Sequence, residues 1–227
     1  MKKGERQRAF TASLPVFCGY VFLGTAFGAT LAQAGFGPLW AFACSAFVYG
    51  GSLQFVMVPM MAGGTSLVTV ALTALMVQAR HLFYGISYIE RFSRMGPVRP
   101  YMIFSLTDET YSVFCSLPEG ESDGVLFRIA LYDQLYWVGG TMIGSILATA
   151  LPLDLSGIDF SMTALFIVIC VEKAMERRNR PALALGALIS LAMLLLLGPD
   201  RFLAPALAVT AAVLTMTRPA KEGGAAV

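Results

Sequence analysis

Long stretches of uncharged, apolar residues limit how this chain can fold more than any other feature of its sequence. Four stretches contain no charged residue: 13–34, 39–63, 134–153 and 181–199. A helix of about 20 mainly apolar residues is long enough to cross the hydrocarbon core of a bilayer. The sequence therefore predicts an all-α membrane protein, folded as a polytopic helical bundle.

Further apolar stretches raise the expected number of transmembrane segments to seven or eight. These stretches are shorter or interrupted by charge: 66–79, 101–117, 160–171 and 202–217. Two adjacent acids interrupt the second of them, so residues 101–118 either span the bilayer or re-enter it. We expect one transmembrane domain that covers residues 1–227.

The composition excludes a soluble protein of this length. Hydrophobic residues make up 57% of the chain and charged residues 13%, whereas soluble domains carry about 25% charged residues. A net charge of only +2 gives no reason to expect a nucleic-acid partner. The four cysteines lie in apolar stretches without metal-ligand spacing, so we expect buried thiols and neither a metal nor another cofactor.

Part of the first apolar stretch has a near copy in the middle of the chain. Residues 24–34 read GTAFGATLAQA and residues 140–150 read GTMIGSILATA, with six of eleven positions identical. A basic N-terminus before an apolar stretch is also typical of a signal peptide, but that stretch is too long, and we predict a retained helix. The copy predicts an internal repeat, with halves at about 13–118 and 129–217, as in many transporters. Alternatively, or in addition, both segments are GxxxG faces for close helix packing.

The distribution of Lys and Arg predicts that the N-terminus is cytoplasmic. Four basic residues precede the first stretch, and four more lie in residues 173–180. With eight crossings both groups face the cytoplasm, but three other arginines then fall outside: Arg91, Arg94 and Arg99. The sequence does not resolve this conflict.

Paired glycines interrupt the second apolar stretch, in the segment from Tyr49 to Phe55 (YGGSLQF). Irregular backbone at membrane depth is tolerated only where it is buried in protein or lines a cavity. We therefore predict one broken helix whose backbone binds substrate, with these candidate binding residues: Tyr49, Gly50, Gly51, Ser52 and Gln54. The alternative is a close helix crossing in which Gln54 bonds to a neighbouring helix.

Ionisable residues at membrane depth are candidates for function because their burial is expensive. Arg80 is a candidate for binding a substrate carboxylate, and His81 is the only histidine and suits proton exchange. Asp108 and Glu109 point about 100° apart on a helix, and we predict that one of them pairs with Arg80 and His81. Alternatively, Arg80 and His81 anchor a helix end at the headgroups, and residues 105–112 form a loop.

Two other acids have weaker arguments. Glu172 aligns with Gln54 in the internal repeat, and we include it with His81, Asp108 and Glu109 as a candidate for proton coupling. Asp133 lies among aromatic residues (YDQLYW). Tyr and Trp are enriched at the membrane interface, so we expect Asp133 at the interface, with a buried pairing acid as the alternative.

Three ordered blocks resemble the signature blocks of AzlC-type permeases: residues 45–55 (SAFVYGGSLQF), 80–85 (RHLFYG) and 106–111 (LTDETY). The similarity extends over about residues 8–217, and Gln78 stands where that family is expected to have Asn. The resemblance implies proton-driven export of branched-chain amino acids and methionine across the inner membrane. It also implies a separately encoded, small AzlD-type membrane subunit.

The small residues of the first helix offer a surface for such a partner helix. The sequence has no Walker A pattern, in agreement with a secondary transporter, and no HExxH or GxSxG motif. We therefore expect no enzyme activity. An oligomeric channel for a small solute is the alternative function.

Overall fold

The computed structural model describes residues 3–151, 167, 170, 171, 174, 175, 177, 180–198 and 202–217. Every regular element in these residues is a helix, which confirms the all-α prediction. The chain divides into two compact units, Met1–Met162 and Thr163–Val227.

The first unit contains helices of very different lengths. They are α1 (Lys3–Gln33), α2 (Pro38–Ala43), α3 (Gly51–Ala62), α4 (Leu67–Ser93), α5 (Arg99–Phe104), α6 (Asp108–Ser116) and α7 (Asp123–Ala150). A π-helical turn, Cys44–Val48, continues α2, and a 3-10 turn, Gly96–Val98, precedes α5. In the second unit, α8 (Arg180–Leu197) packs against α9 (Leu203–Thr217).

The helices α1 and α7 form the centre of the first unit and run parallel along each other. Contacts follow the same order on both helices, from Glu5 with Arg128, through Ser13 with Tyr136, to Gly24 with Trp137. Glycines permit this approach. A Cβ on Gly24 would lie 2.9 Å from the Trp137 carbonyl oxygen, and one on Gly140 would lie 2.7 Å from the Val21 carbonyl oxygen.

The glycine contacts come in equivalent pairs, as the near copy in the sequence suggests. The copy relates each residue of α1 to the residue of α7 that is 116 positions later, so Gly24 corresponds to Gly140 and Val21 corresponds to Trp137. Gly24 contacts Trp137, and Gly140 likewise contacts Val21. Gly28 with Thr141 and Gly144 with Thr25 are related in the same way. The GxxxG packing hypothesis is thus correct, and α7 covers the small-residue face of α1. The expectation that this face lies open for a partner was wrong.

The second apolar stretch does not run straight through the first unit. Its first half, α2 and the π turn, brings Ala46 to Gln134, whose Nε2 donates to the Ala46 carbonyl at 3.0 Å. Its second half, α3, turns back, because Gly51 lies at Trp137 and Phe55 packs on Phe27 near the C-terminal end of α1. Residues 38–62 therefore form a helical hairpin whose tip lies at the middle of α1 and α7.

The tip of this hairpin is the predicted helix break. Tyr49 has left-handed backbone angles (φ 41°, ψ 50°) and Gly50 is extended (φ −137°, ψ 80°), after which α3 begins at Gly51. A bulky residue with positive φ is uncommon and costs about 1–3 kcal/mol, and such strain clusters at functional sites. The break is confirmed, whereas the predicted cavity beside it stays a prediction.

A second hairpin enters from the opposite end of the unit. Arg91, near the end of α4, pairs with Asp123 at the start of α7, which places the start of α5 at that end. The helix α5 rises to Phe104, which contacts Tyr49 at 6.0 Å between ring centroids. The chain then turns at 105–107, and α6 returns along α4. Residues 99–116 therefore form a second helical hairpin, and the described part of the chain has two breaks where the sequence predicted one.

The number of transmembrane segments is not confirmed. Of the described helices, two are long and apolar enough to cross a bilayer by length and hydropathy alone: Gly4–Gln33 and Arg180–Leu197. The predicted segment 160–171 lies largely outside the described residues. For both reasons seven or eight crossings stay a prediction. Residues 38–62, which contain the predicted break, and residues 99–116 each form a helical hairpin.

Gly144→Ala and Gly28→Ala should each destabilise the protein strongly, since the added methyl group would collide with the backbone of the facing helix. Overpacking at such a contact costs about 1–3 kcal/mol or more. Thermal melting of the detergent-solubilised protein measures the effect. Gly139→Ala, on α7 with no atom within 4 Å of its Cβ position, is the control. Equal melting temperatures for all three variants would show that the two helices do not pack through these glycines.

Candidate functional site

The tips of the two hairpins meet beside α1 and α7. The Tyr49 ring of the first hairpin contacts the Phe104 ring of the second, and Tyr20 of α1 contacts Tyr49 and Trp137 with ring centroids 6.5 and 5.3 Å apart. Tyr20, Tyr49 and Trp137 are all buried. The candidate site is this central cluster, where the backbone of both hairpins is irregular.

Asp133 lies at the heart of this cluster and has 0% exposure. Its Oδ2 accepts a hydrogen bond from the Thr110 hydroxyl at 2.9 Å, and its Oδ1 has no hydrogen-bond partner among the described residues. Asp133 is therefore buried, as the alternative expected, but none of the ion pairs between described residues includes it. Trp137, one of the aromatic residues that suggested the interface, is also buried in the protein.

Glu109 faces α1 at the start of α6. Its Oε2 accepts a hydrogen bond from the Tyr20 hydroxyl at 2.7 Å. That hydroxyl also lies 2.7 Å from Oγ1 of Thr107, the residue that caps α6 by accepting from the Thr110 amide. Unlike Asp133, Glu109 is exposed. An acid in the first turn of a helix is stabilised by the unpaired amides there, which explains how α6 accommodates two adjacent carboxylates.

Asp108 points away from Glu109 and towards α4. His81 Nε2 lies 3.7 Å from Asp108 Oδ1, and both side chains are partly buried. Tyr84, one turn further along α4, packs against both His81 and Tyr111. The predicted pairing of an α6 acid with His81 is therefore present. The side chain of Arg80 lies outside the described residues, so its predicted part in the cluster stays a prediction.

The predicted binding residues surround the tip of the first hairpin. Gln54 is fully buried, and neither atom of its side-chain amide has a hydrogen-bond partner among the described residues. With the helices of the described residues it therefore makes none of the bonds that the alternative requires. A Cβ on Gly50 would collide with the Gln78 amide, and one on Gly51 would touch the Trp137 ring at 3.4 Å. Ser52 lies in the first turn of α3, and Glu172 lies outside the described residues.

Sequence reasoning missed two residues of the centre, Tyr20 and Thr110, and placed the buried interpretation of Asp133 second. Asp133 carried a usable signal, since it directly precedes the apolar stretch 134–153 and an acid at membrane depth is a functional candidate by default. Tyr20 and Thr110 carried none. Their roles depend on which helices are neighbours, and only the structure gives that.

Charged residues gather at the end of the first unit that contains the N-terminus. Ion pairs link α1, the end of α4 and the start of α7: Arg8 with Glu121 at 2.7 Å, Arg91 with Asp123 at 3.0 Å and Arg128 with Glu5 at 3.1 Å. Arg91 and its neighbours Arg94 and Arg99 therefore lie at the same end as the basic N-terminus. Because residues 38–62 turn back, α4 runs towards the N-terminal end of the unit, which brings Arg91 to the same end as Arg8.

Comparison with known proteins supports the resemblance that the three sequence blocks, residues 45–55, 80–85 and 106–111, suggested. Residues 15–151 match the family model described as AzlC protein. The branched-chain amino acid transport protein AzlC of Bacillus subtilis is 35% identical over 213 residues, which cover 92% of this chain and 84% of that protein.

Two further relatives are named as membrane proteins. An uncharacterised membrane protein of Haemophilus influenzae is 36% identical over 211 residues, or 91% of this chain and 86% of the relative. The inner membrane protein YgaZ of Escherichia coli is 32% identical over 165 residues, or 68% and 67%. No solved structure matches the chain significantly.

Proposed function

This chain is a membrane protein of the AzlC family, and we propose that it is a secondary transporter that exports branched-chain amino acids, and methionine, from the cytoplasm. The observation that carries the proposal is the meeting of two broken helices at a buried, polar centre. Secondary transporters bind substrates near the membrane midplane, at half-helix ends of this kind. The name of the Bacillus relative supplies the substrate class.

In this proposal α1, α4 and α7 cross the inner membrane, while the two hairpins enter it from opposite sides and meet at mid-depth. The shared position of the N-terminus, Arg91 and Arg128 at one end supports a cytoplasmic N-terminus, because basic residues mark the cytoplasmic side. Backbone at the hairpin tips is buried in protein, as it must be at this depth.

Proton coupling is proposed for His81 and the acids of α6, with Glu172 as a further candidate. The support is the 3.7 Å approach of His81 to Asp108, since histidine gains or loses a proton near neutral pH. A protonated His81 forms an ion pair with Asp108, whereas a neutral His81 carries no charge and forms none. Loading or unloading this proton therefore changes the contact between α4 and the second hairpin.

A small, separately encoded AzlD-type membrane subunit is proposed as the partner. Since α7 covers the small residues of α1, the partner must use another surface. Many apolar side chains of the first hairpin and α4 are exposed and are suited to lipid or to a second membrane protein, among them Leu39, Phe47, Leu67, Val68 and Leu75.

The transport proposal predicts that purified protein, reconstituted with its small partner, exchanges labelled leucine for unlabelled leucine, valine or methionine. Such counterflow requires a binding site that alternates between the two faces. An oligomeric channel conducts without this stimulation from the opposite face, so equal leucine flux with and without unlabelled substrate would favour the channel. Full activity of this chain alone would refute the need for a partner.

The coupling proposal predicts that His81→Gln and Asp108→Asn lose leucine accumulation driven by a pH gradient but keep leucine counterflow. The reason is that both variants remove the titrating pair without touching the centre around Asp133. Asp123→Asn, whose carboxylate pairs with Arg91 near the cytoplasmic end, is the matched control. Normal gradient-driven transport by both variants between about pH 6 and pH 8 would place the coupling site elsewhere.

A further inference from the structure

A chain of close oxygen–oxygen contacts connects the exposed acid of the centre with the buried one. Its three hydroxyl protons fill three of the four links, and a proton on either carboxyl group completes the chain of hydrogen bonds. It runs from Glu109 to Tyr20 at 2.7 Å, to Thr107 at 2.7 Å, to Thr110 at 3.1 Å and to Asp133 at 2.9 Å. Each of the three residues between the carboxylates contributes a hydroxyl group, which both donates and accepts. Such a chain passes a proton along when every hydroxyl releases its own proton to the next oxygen.

The exposed end of the chain leads towards the cytoplasmic end. Glu109, Ser112 and Ser116 lie on one face of α6 at helical spacing, and all three are exposed. A recess of about 520 Å³ lies nearer the N-terminus of α1, between α1 and the loop after α6. Its lining includes Gln7, Arg8, Thr11 and Glu121. Lipid does not cover a carboxylate at low cost, so we assign this polar face to water.

The buried end of the chain faces the tip of the first hairpin. Asp133 lies four residues, or about 6 Å along the helix, before Trp137, whose ring is next to Gly51 at the start of α3. The first turn of α3 contains no acid, and Gly50 before it provides no side-chain cap; the N-terminal end of a helix attracts a carboxylate. The other groups that face Asp133 are Glu109, Tyr49 and Tyr101, so no described cation offsets its charge.

We propose that Asp133 is an exchange site, at which the ammonium group of the amino-acid substrate and a proton alternate, and that Glu109, Tyr20, Thr107 and Thr110 form the proton path to it. The proposal rests on the transport function proposed above. The Oδ1 of Asp133, which has no hydrogen-bond partner among the described residues, accepts the ammonium group, while the N-terminal end of α3 attracts the substrate carboxylate. Because a buried carboxylate needs a positive partner, it releases its proton only when the ammonium arrives.

The exchange balances in charge and protons. A substrate that enters from the cytoplasm presents its ammonium group to the protonated Asp133. The carboxyl group loses one proton through Thr110, Thr107 and Tyr20 to Glu109, and Glu109 passes it to cytoplasmic water. The ammonium then pairs with the new carboxylate. When the amino acid leaves to the outside, its ammonium group leaves with it and the Asp133 carboxylate takes a proton from the water on that side. One proton therefore enters the cytoplasm for each amino acid that leaves it.

Tyr20→Phe tests the proton path, because it removes one hydroxyl from the chain and leaves the ring. In proteoliposomes with the partner subunit, this variant should retain leucine counterflow but lose at least about 10-fold in accumulation driven by a pH gradient. Tyr136→Phe removes a hydroxyl from the same helix pair, where it contacts Ser13, and should behave as wild type. Gradient-driven accumulation by Tyr20→Phe at the wild-type level would overturn the proton path.

Asp133→Asn tests the ammonium site through competition against labelled leucine. A site built for a polar group rejects an analogue that lacks it by a large factor, so wild-type protein should prefer leucine to its α-keto acid analogue by about 100-fold or more. The variant should lose most of this preference by binding leucine more weakly, whereas Asp123→Asn should keep it. If the α-keto acid competes as well as unlabelled leucine in the wild-type protein, the proposed ammonium site at Asp133 is overturned, and no variant is needed to show it. Wild-type protein that binds no amino acid would instead refute the transport function itself.

Discussion

The close backbone contact between α1 and α7 is the interaction on which the rest of the first unit depends. Four glycines, Gly24, Gly28, Gly140 and Gly144, allow the two helices to approach until each meets the other's backbone. In a membrane there is little hydrophobic gain from bringing helices together, so packing of this kind supplies the association energy. The pair fixes Tyr20 beside Trp137 and gives both hairpins a common wall.

The packed pair of α1 and α7 also makes the irregular backbone of the centre possible. The hairpin tips at Tyr49–Gly50 and at 105–107 leave polar groups that lipid cannot satisfy, so they must be buried in protein or exposed to water. The wall buries the first tip, and α6 begins at the second with its unpaired amides beside two acids. Breaks of this kind create the buried donors and acceptors that a transported solute requires, which continuous helices do not offer.

The sequence predicts much of this architecture, and its failures have physical causes. Apolar stretches locate α1, α8 and α9, and the paired glycines locate the first break, because these signals are local. Hydropathy cannot distinguish a straight span from a hairpin, since both are equally apolar, so the sequence locates the break in residues 39–63 but not the reversal of direction that follows it. Asp108, Glu109 and His81 are recognisable from the sequence, because ionisable residues within or at the end of apolar stretches are candidates for function. Tyr20 and Thr110 are not, because their importance comes from neighbours far away in the chain.

The opposed hairpins are the central claim, and cysteine accessibility tests it most directly. Single cysteines at Gln33, Ala62, Arg94 and Glu119, in a variant without the four native cysteines, would be labelled in intact cells with a membrane-impermeant thiol reagent. Positions 33 and 62 should both react from outside, and positions 94 and 119 should react only after the cells are opened. Opposite accessibility of 33 and 62, or of 94 and 119, would mean that the intervening segment spans the membrane and would contradict the account.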